Sequence, residues 1–246
     1  MSQPTALKVF GIGLNKTGTK TLGQCCTRLG FRTIGYRADF LVRLKRRDFA
    51  PIFDEIDEYD AFEDWPYPLM YQELFERYGD RAKFVLTTRK SASVWLDSLK
   101  RHSLRTNVHR HARLLTYGYA YPFGAEEHFI NLYERHVSQV REFFAGHGGS
   151  LCELCWETGS GWSELCAFLG VDPPDEAFPH ANEGGSPRRA TLVANVARVY
   201  QQLILLNPHL NDEELTELLE RALASAGVSP KARASLVARE ARRKRS

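Results

Sequence analysis

The sequence predicts an α/β fold in which a central parallel sheet carries helices, with further helices at the C-terminus. Three observations predict it. The apolar run Leu7–Gly13 feeds a Gly/Thr/Lys turn and then a helix-like stretch, Leu22 to Leu29, closed by Gly30. A second run, Ala82–Thr88, is apolar along nearly its whole length, as in a parallel strand covered on both faces. Near the end, Leu192, Val196, Val199, Leu203 and Leu206 recur at alternating steps of four and three, the spacing of an amphipathic helix. At 246 residues the chain is long enough for one such domain with a helical appendage.

Taken in order, the first strand, turn and helix form an anion cradle. Unpaired backbone N–H groups and the positive end of the helix dipole converge on one spot, which suits phosphate or sulfate. Phe31–Ile34 is a short second strand, followed by a polar helical stretch to Arg47. Tyr59–Phe62 is weakly strand-like and ends in Glu63-Asp64-Trp65-Pro66, where Pro66 and Pro68 stop pairing and begin a helix that runs to Tyr78. Ala82–Thr88 then delivers Arg89 to a strand end, and Lys16, Asp64 and Arg89 all occupy such ends, where ligands bind in open α/β sheets. In the following helix Trp95, Ser98 and His102 share a face, with Ser91 placed to cap it. Lys100–Arg113 is rich in Lys, Arg and His and reads as a solvated helix or a basic flap over an anionic ligand. His109 and His111, two apart, do not share a helical face, so no metal site is expected there.

The helix from Glu126 to Ala145 carries Phe129, Tyr133, His136, Val140 and Phe143 on its core stripe. Ser150–Trp156 returns as a strand and Gly161–Gly170 as a short helix. Prolines at 173, 174 and 179 then mark an irregular passage to Pro187. The last predicted helix starts at Asn211 with Glu214 three residues on, a capping box, and ends at Gly227. Tyr117, Tyr119, Tyr121 and Phe123 suit either an aromatic acceptor cleft or core packing.

Charge is unevenly spread. Lys231–Ser246 holds seven basic residues against Glu240, a formal +6, so the rest of a chain of net +3 carries −3. The body is therefore not a nucleic-acid surface, and any anion site in it is local. No apolar run reaches membrane-spanning length, and the first residues lack the build of a signal peptide, so a soluble, cytoplasmic protein is expected. Five cysteines, with no second pair at zinc spacing, read as reduced buried thiols.

The loop's spelling narrows its ligand. A Walker A loop needs Lys directly after its second glycine. Here Thr19 follows Gly18, and the preceding lysine is Lys16. Lys16-Thr17-Gly18-Thr19, with hydroxyls continuing to Thr21, resembles the 5′-phosphosulfate loop of sulfotransferases that use 3′-phosphoadenylyl sulfate (PAPS). Leu86-Thr87-Thr88-Arg89, continuing to Trp95 and Ser98, resembles that family's 3′-phosphate segment. Gly161–Gly170 and Phe178-Pro179-His180-Ala181-Asn182 are similar to a bacterial branch of the superfamily.

The resemblance implies a P-loop-type three-layer sandwich with a central parallel sheet of about five strands. It implies sulfuryl transfer from PAPS to a hydroxyl or amine of a small-molecule acceptor, with no metal required. It assigns the phosphosulfate to Asn15, Lys16, Thr17, Gly18, Thr19, Lys20 and Thr21, with Lys16 meeting the leaving-group charge. Arg89 and Ser98 are assigned to the 3′-phosphate, with Ser91 and Ser93 as substitutes. Asp64 falls where many relatives carry a histidine base. Glu63, His102 and His136 remain alternatives, and Asp64 could instead cap the helix before Pro66. Two rivals stand beside this: a P-loop kinase or NTPase using Glu63-Asp64 as a Walker-B-like strand end, and a non-catalytic nucleotide-binding module. The expected organisation is a core over residues 1–189, a helical extension over 190–230 packed on it, and a flexible basic tail over 231–246. The expected partners are a small-molecule acceptor and a possible second copy in a homodimer, with no nucleic acid and no membrane.

Overall fold

The computed structural model describes residues 7–106, 112–179 and 188–244. Its sheet has five parallel strands: β1 (Lys8–Gly11), β2 (Thr33–Ile34), β3 (Ala61–Phe62), β4 (Ala82–Thr87) and β5 (Leu151–Leu154), in the spatial order β2-β3-β1-β4-β5. Eleven α-helices accompany them among the described residues. The expected α/β class and five-strand parallel sheet are what is found. The chain divides into two compact units, Met1–Ala92 with Tyr133–Glu183 and Ser93–Leu132 with Gly184–Ser246.

The first unit contains the whole sheet. Strand alternation sends Val9 and Val85 to one face and their neighbours Phe10 and Phe84 to the other. On the first face Val9, Ala61, Val85 and Leu154 are buried against α1 (Thr19–Arg28) through Leu22, Cys25 and Cys26, and against α8 (Trp162–Leu169) through Leu165 and Leu169. On the second, the Phe10 ring stacks on Phe62 at 4.7 Å and on Phe84 at 5.5 Å. That face is covered by α4 (Tyr71–Tyr78) and α7 (Glu126–Phe144), whose Phe75 and Phe144 lie 6.1 and 4.8 Å from Phe84. The polar helical stretch expected to run to Arg47 is α2 (Ala38–Lys45), which stops just before Arg47 turns left-handed at φ 57°, and a further helix, α3 (Ala50–Asp57), follows with Pro51 in its first turn. The helix expected from Pro66 begins instead as a separate 3-10 turn, Tyr67–Leu69, before α4. Burial pushes the Cys25 and Cys26 thiols up to about 12, and all five cysteines are free, so neither of these two is a nucleophile near neutrality.

The second unit is helical: α5 (Ala92–Arg105) from Ser93 onward, α6 (Ala112–Tyr117), α9 (Arg189–Leu206), α10 (Asp212–Ser225) and α11 (Pro230–Lys244). Leu104, Phe123, Val199, Leu203, Leu219 and Leu223 build its core. The Asn211 side chain accepts the Glu213 and Glu214 N–H groups and Glu214 closes the capping box, as the spacing predicts. Two readings are corrected here. Lys100 and Arg113 are not solvated: they are 8% and 7% exposed, Lys100 pairing with Glu126 at 3.1 Å and Arg113 Nε donating to the Ala120 carbonyl at 2.6 Å. The segment read as a flexible basic tail is helical to Lys244, because Leu236 and Val237, hidden among its charges, pack on the core. Tyr117, Tyr121 and Phe123 are buried, and Trp95 meets Tyr117 edge-on at 5.9 Å, so these aromatics serve packing. His109, His111 and His180–Asn182 lie outside the described residues. No helix among the described residues is long and apolar enough to cross a membrane.

Candidate active site

The cradle predicted from the sequence sits beyond the carboxyl end of β1. The Ile12 N–H still reaches the Val85 carbonyl at 2.9 Å, and the backbone then turns away from the sheet. Thr17 folds back: its N–H and Oγ1 reach the Leu14 carbonyl at 3.2 and 2.6 Å, and Oγ1 lies 2.7 Å from Thr87 Oγ1 on β4. Gly13 is demanded by this closeness, since a Cβ there would lie 2.1 Å from Thr87 Oγ1. Gly18 stands in the left-handed region at φ 95°, and a Cβ on it would meet the Trp156 indole at 2.3 Å. α1 begins immediately afterward, so its first N–H groups, which have no intrahelical acceptor, converge with the dipole on the loop.

β4 brings Arg89 to the side of this loop. Arg89 Nη1 donates to the Lys16 carbonyl at 3.1 Å, Nη2 pairs with Glu157 Oε1 at 2.5 Å, and the Arg89 N–H donates to the Tyr133 hydroxyl at 2.9 Å. Its buried Nε has no hydrogen-bond partner among the described residues. Glu157 also accepts the Lys90 N–H at 3.1 Å, and these contacts hold its carboxyl below the usual carboxylate range despite some burial. Beside it, Trp156 Nε1 donates to the Gly18 carbonyl at 3.2 Å.

β3 pairs with β1 on its other side and ends in two carboxylates. Glu63 is 4% exposed and forms an ion pair with Lys20. Asp64 follows, with its Oδ1 accepting the Trp65 N–H at 2.8 Å. Desolvation, reinforced by the Glu63 charge, pushes the Asp64 carboxyl up to about 6, while Lys20 and Lys16 pull the other way. It does not cap a helix: the 3-10 turn that follows has Pro66 at its N-cap and no side-chain cap. Lys16 and Asp64 both hold left-handed backbones, at φ 73° and 69°, and only Arg47 joins them among the described non-glycine residues. Such conformations cost roughly 1–3 kcal/mol and cluster where a site imposes them.

His136 comes close to the loop's entry, with Nε2 donating to the Ile12 carbonyl at 2.8 Å, and burial lowers its pKa. That is the satisfied core histidine its helical stripe predicts. Ser98 and His102 lie half-buried on α5 in the second unit.

A family model described as a sulfotransferase domain matches residues 8–186. The chain belongs to the sulfotransferase family. It is also similar to the Ava biosynthesis cluster protein M of Aspergillus versicolor, at 27% identity over a match covering 71% of this chain and 80% of that protein. The family match takes in the loop and all five strands of this sulfotransferase and ends before α9–α11.

Sequence reasoning missed Trp156, Glu157 and Tyr133 at this site. Their partners lie 138, 68 and 44 residues away in the chain, so no local pattern reports the contacts. The one available signal was position: Trp156 and Glu157 come one residue after the strand Leu151–Leu154 and so fall at a carboxyl end, as Arg89 does. Lys20, assigned to the ligand together with Lys16, is engaged with Glu63 instead of standing clear over the loop.

Proposed function

We propose that this sulfotransferase takes its sulfuryl group from PAPS and passes it to a hydroxyl or amine of a small-molecule acceptor. The supporting observation is the Arg89–Lys16 contact, which fastens a second cation to the loop and so suits one ligand with two separate anionic groups. The residues fit such a ligand. The loop offers first-turn N–H groups and Lys16, and the unpartnered Arg89 Nε leaves the guanidinium a donor for a further anion. PAPS, when bound, supplies a sulfuryl group joined to a phosphate that leaves as an anion.

The chain's own groups account for the other roles. The Thr17–Thr21 backbone and Lys16 hold and neutralise growing negative charge at the loop. Arg89 binds the 3′-phosphate, exchanging Glu157 for it. Asp64, deprotonated near neutrality yet far more basic than an exposed carboxylate, accepts the acceptor's proton. Five free thiols suit a cytoplasmic setting, and no step in this scheme calls for a metal.

The test is incubation of the protein with ³⁵S-labelled PAPS, without divalent metal, against phenols, sugars and alcohols. Labelled product is expected with at least one acceptor class. Magnesium-dependent phosphoryl transfer from ATP without PAPS turnover would replace the proposal with a kinase. Tight binding of adenosine 3′,5′-bisphosphate with no transfer to any acceptor would leave a binding module.

A further inference from the structure

The second unit carries a cleft of about 490 Å³ between the N-terminal part of α9 and one face of α11. Four cations rim it: Arg189, Lys231, Arg239 and Arg242. Lys231, Ser235, Arg239 and Arg242 follow one another at steps of four, four and three, so α11 presents them as a single stripe. The floor is apolar, made by Leu192, Val193 and Leu236. Among the described residues no carboxylate lines the cleft.

Three other cations of α10 and α11 are arranged differently. Arg233 pairs with Glu220 at 2.7 Å, Arg221 with Glu217 at 3.7 Å and Arg243 with Glu240 at 3.8 Å. Glu240, next to Arg239 in sequence, is 4% exposed and turned away from the cleft with Arg243. Among the described residues none of the four rim cations has an ion-pair partner. The neighbouring cleft between α10 and α11 differs in this respect, because its Arg221 is accompanied by Glu217 and Glu220.

Four unneutralised cations within one cleft repel one another, and a multivalent anion relieves that repulsion. Guanidinium groups bind phosphate or sulfate oxygens bidentately. The volume lies in the range of small-molecule sites, and the apolar floor offers burial that a bare inorganic ion cannot use. We infer that this cleft binds a small organic anion: a compact apolar or aromatic body carrying a phosphate, sulfate or carboxylate group. The cleft shares no lining residue with the Lys16–Thr21 loop, and the inference does not depend on the proposed use of PAPS.

The probe is 2-naphthyl phosphate, titrated calorimetrically into the full chain at low ionic strength, with inorganic phosphate and 2-naphthol as halves of the same ligand. The expected result is that 2-naphthyl phosphate binds about tenfold or more tighter than either half, and that added salt weakens it. Arg239→Ala/Arg242→Ala is expected to lower the affinity about tenfold or more, since hydrogen bonds to charged groups are each worth that order. Both residues are exposed helix positions where alanine is tolerated, so the melting temperature should hold; Arg189→Ala/Lys231→Ala is a second, independent pair. Lys16→Ala should leave this affinity unchanged. Equal binding by both cleft double variants, or loss of binding on Lys16→Ala alone, overturns the inference. So does charge-dependent sedimentation with phosphatidylglycerol vesicles without binding of 2-naphthyl phosphate, which would make the stripe a membrane contact.

Discussion

β3 and β4 pair with β1 from opposite sides and deliver opposite charge to its loop. β3, two residues long, ends in Glu63 and Asp64; β4, six residues long, ends in Arg89. On the β3 side charge is withdrawn from water: Glu63 is held by Lys20, and burial keeps the Asp64 carboxyl near 6. On the β4 side the charge stays accessible, with the Arg89 and Glu157 side chains 21% and 30% exposed. One strand end gains basicity by desolvation, and the other keeps a cation whose partner can be exchanged. The proposed scheme places proton acceptance and anion binding on different sides of one loop.

The largest expected effect is at the centre of this division. Lys16→Ala should lower turnover roughly a hundred- to a thousand-fold, the usual cost of removing one preorganised charge-stabilising donor, with an unchanged circular dichroism spectrum. Full activity in that variant would remove the loop from the chemistry.

Asp64→Asn tests the β3 side. Turnover should fall about a hundred-fold at unchanged affinity for adenosine 3′,5′-bisphosphate. In the wild type, kcat should rise with pH through a limb near 6, and the variant should lack that limb. Stability should move the opposite way. The folded-state value lies above the ordinary 3.8, so the folded chain holds this proton more tightly than the unfolded one. The contribution is fully present below 3.8 and is lost as pH rises through about 6, so Asp64→Asn should melt higher than the wild type at about pH 8 and together with it at about pH 3. A variant that loses only stability would return Asp64 to a structural role.

Arg89→Ala and Glu157→Gln test the β4 side and should act with opposite sign. The first should weaken adenosine 3′,5′-bisphosphate binding about ten- to a hundred-fold, in line with hydrogen bonds to a charged group. The second should strengthen it by a few-fold, the scale of a partly exposed ion pair. If both weaken binding alike, Glu157 supports the arginine and does not compete with the ligand.

Much of this arrangement is legible in the sequence wherever the signal is local. The Lys16–Thr21 loop is contiguous, β4 is a long apolar run, and both are placed correctly from residue types alone. β3 has two paired residues, too few for an alternation pattern, and it is readable only because Pro66 follows it. The contacts that complete the loop are long-range and leave no periodic trace: Thr87 against Thr17, Trp156 against Gly18, Glu157 against Arg89. The C-terminal segment failed for a different reason. Its charge count is dominated by seven basic residues, which obscure two apolar side chains, Leu236 and Val237, that are enough to fix a helix on a core. Average charge was the wrong quantity there, and position along the helical turn was the right one.

The indole of Trp156 has one more consequence. It is one of four tryptophans, and its N–H is held by the carbonyl of Gly18, where the Lys16–Thr21 loop enters α1. Trp95 is fully buried and Trp65 nearly so, leaving Trp156 and Trp162 as the more solvent-sensitive emitters. The protein therefore carries a native optical reporter at the loop, and a Trp162→Phe background would let ligand arrival be followed in real time without any attached dye.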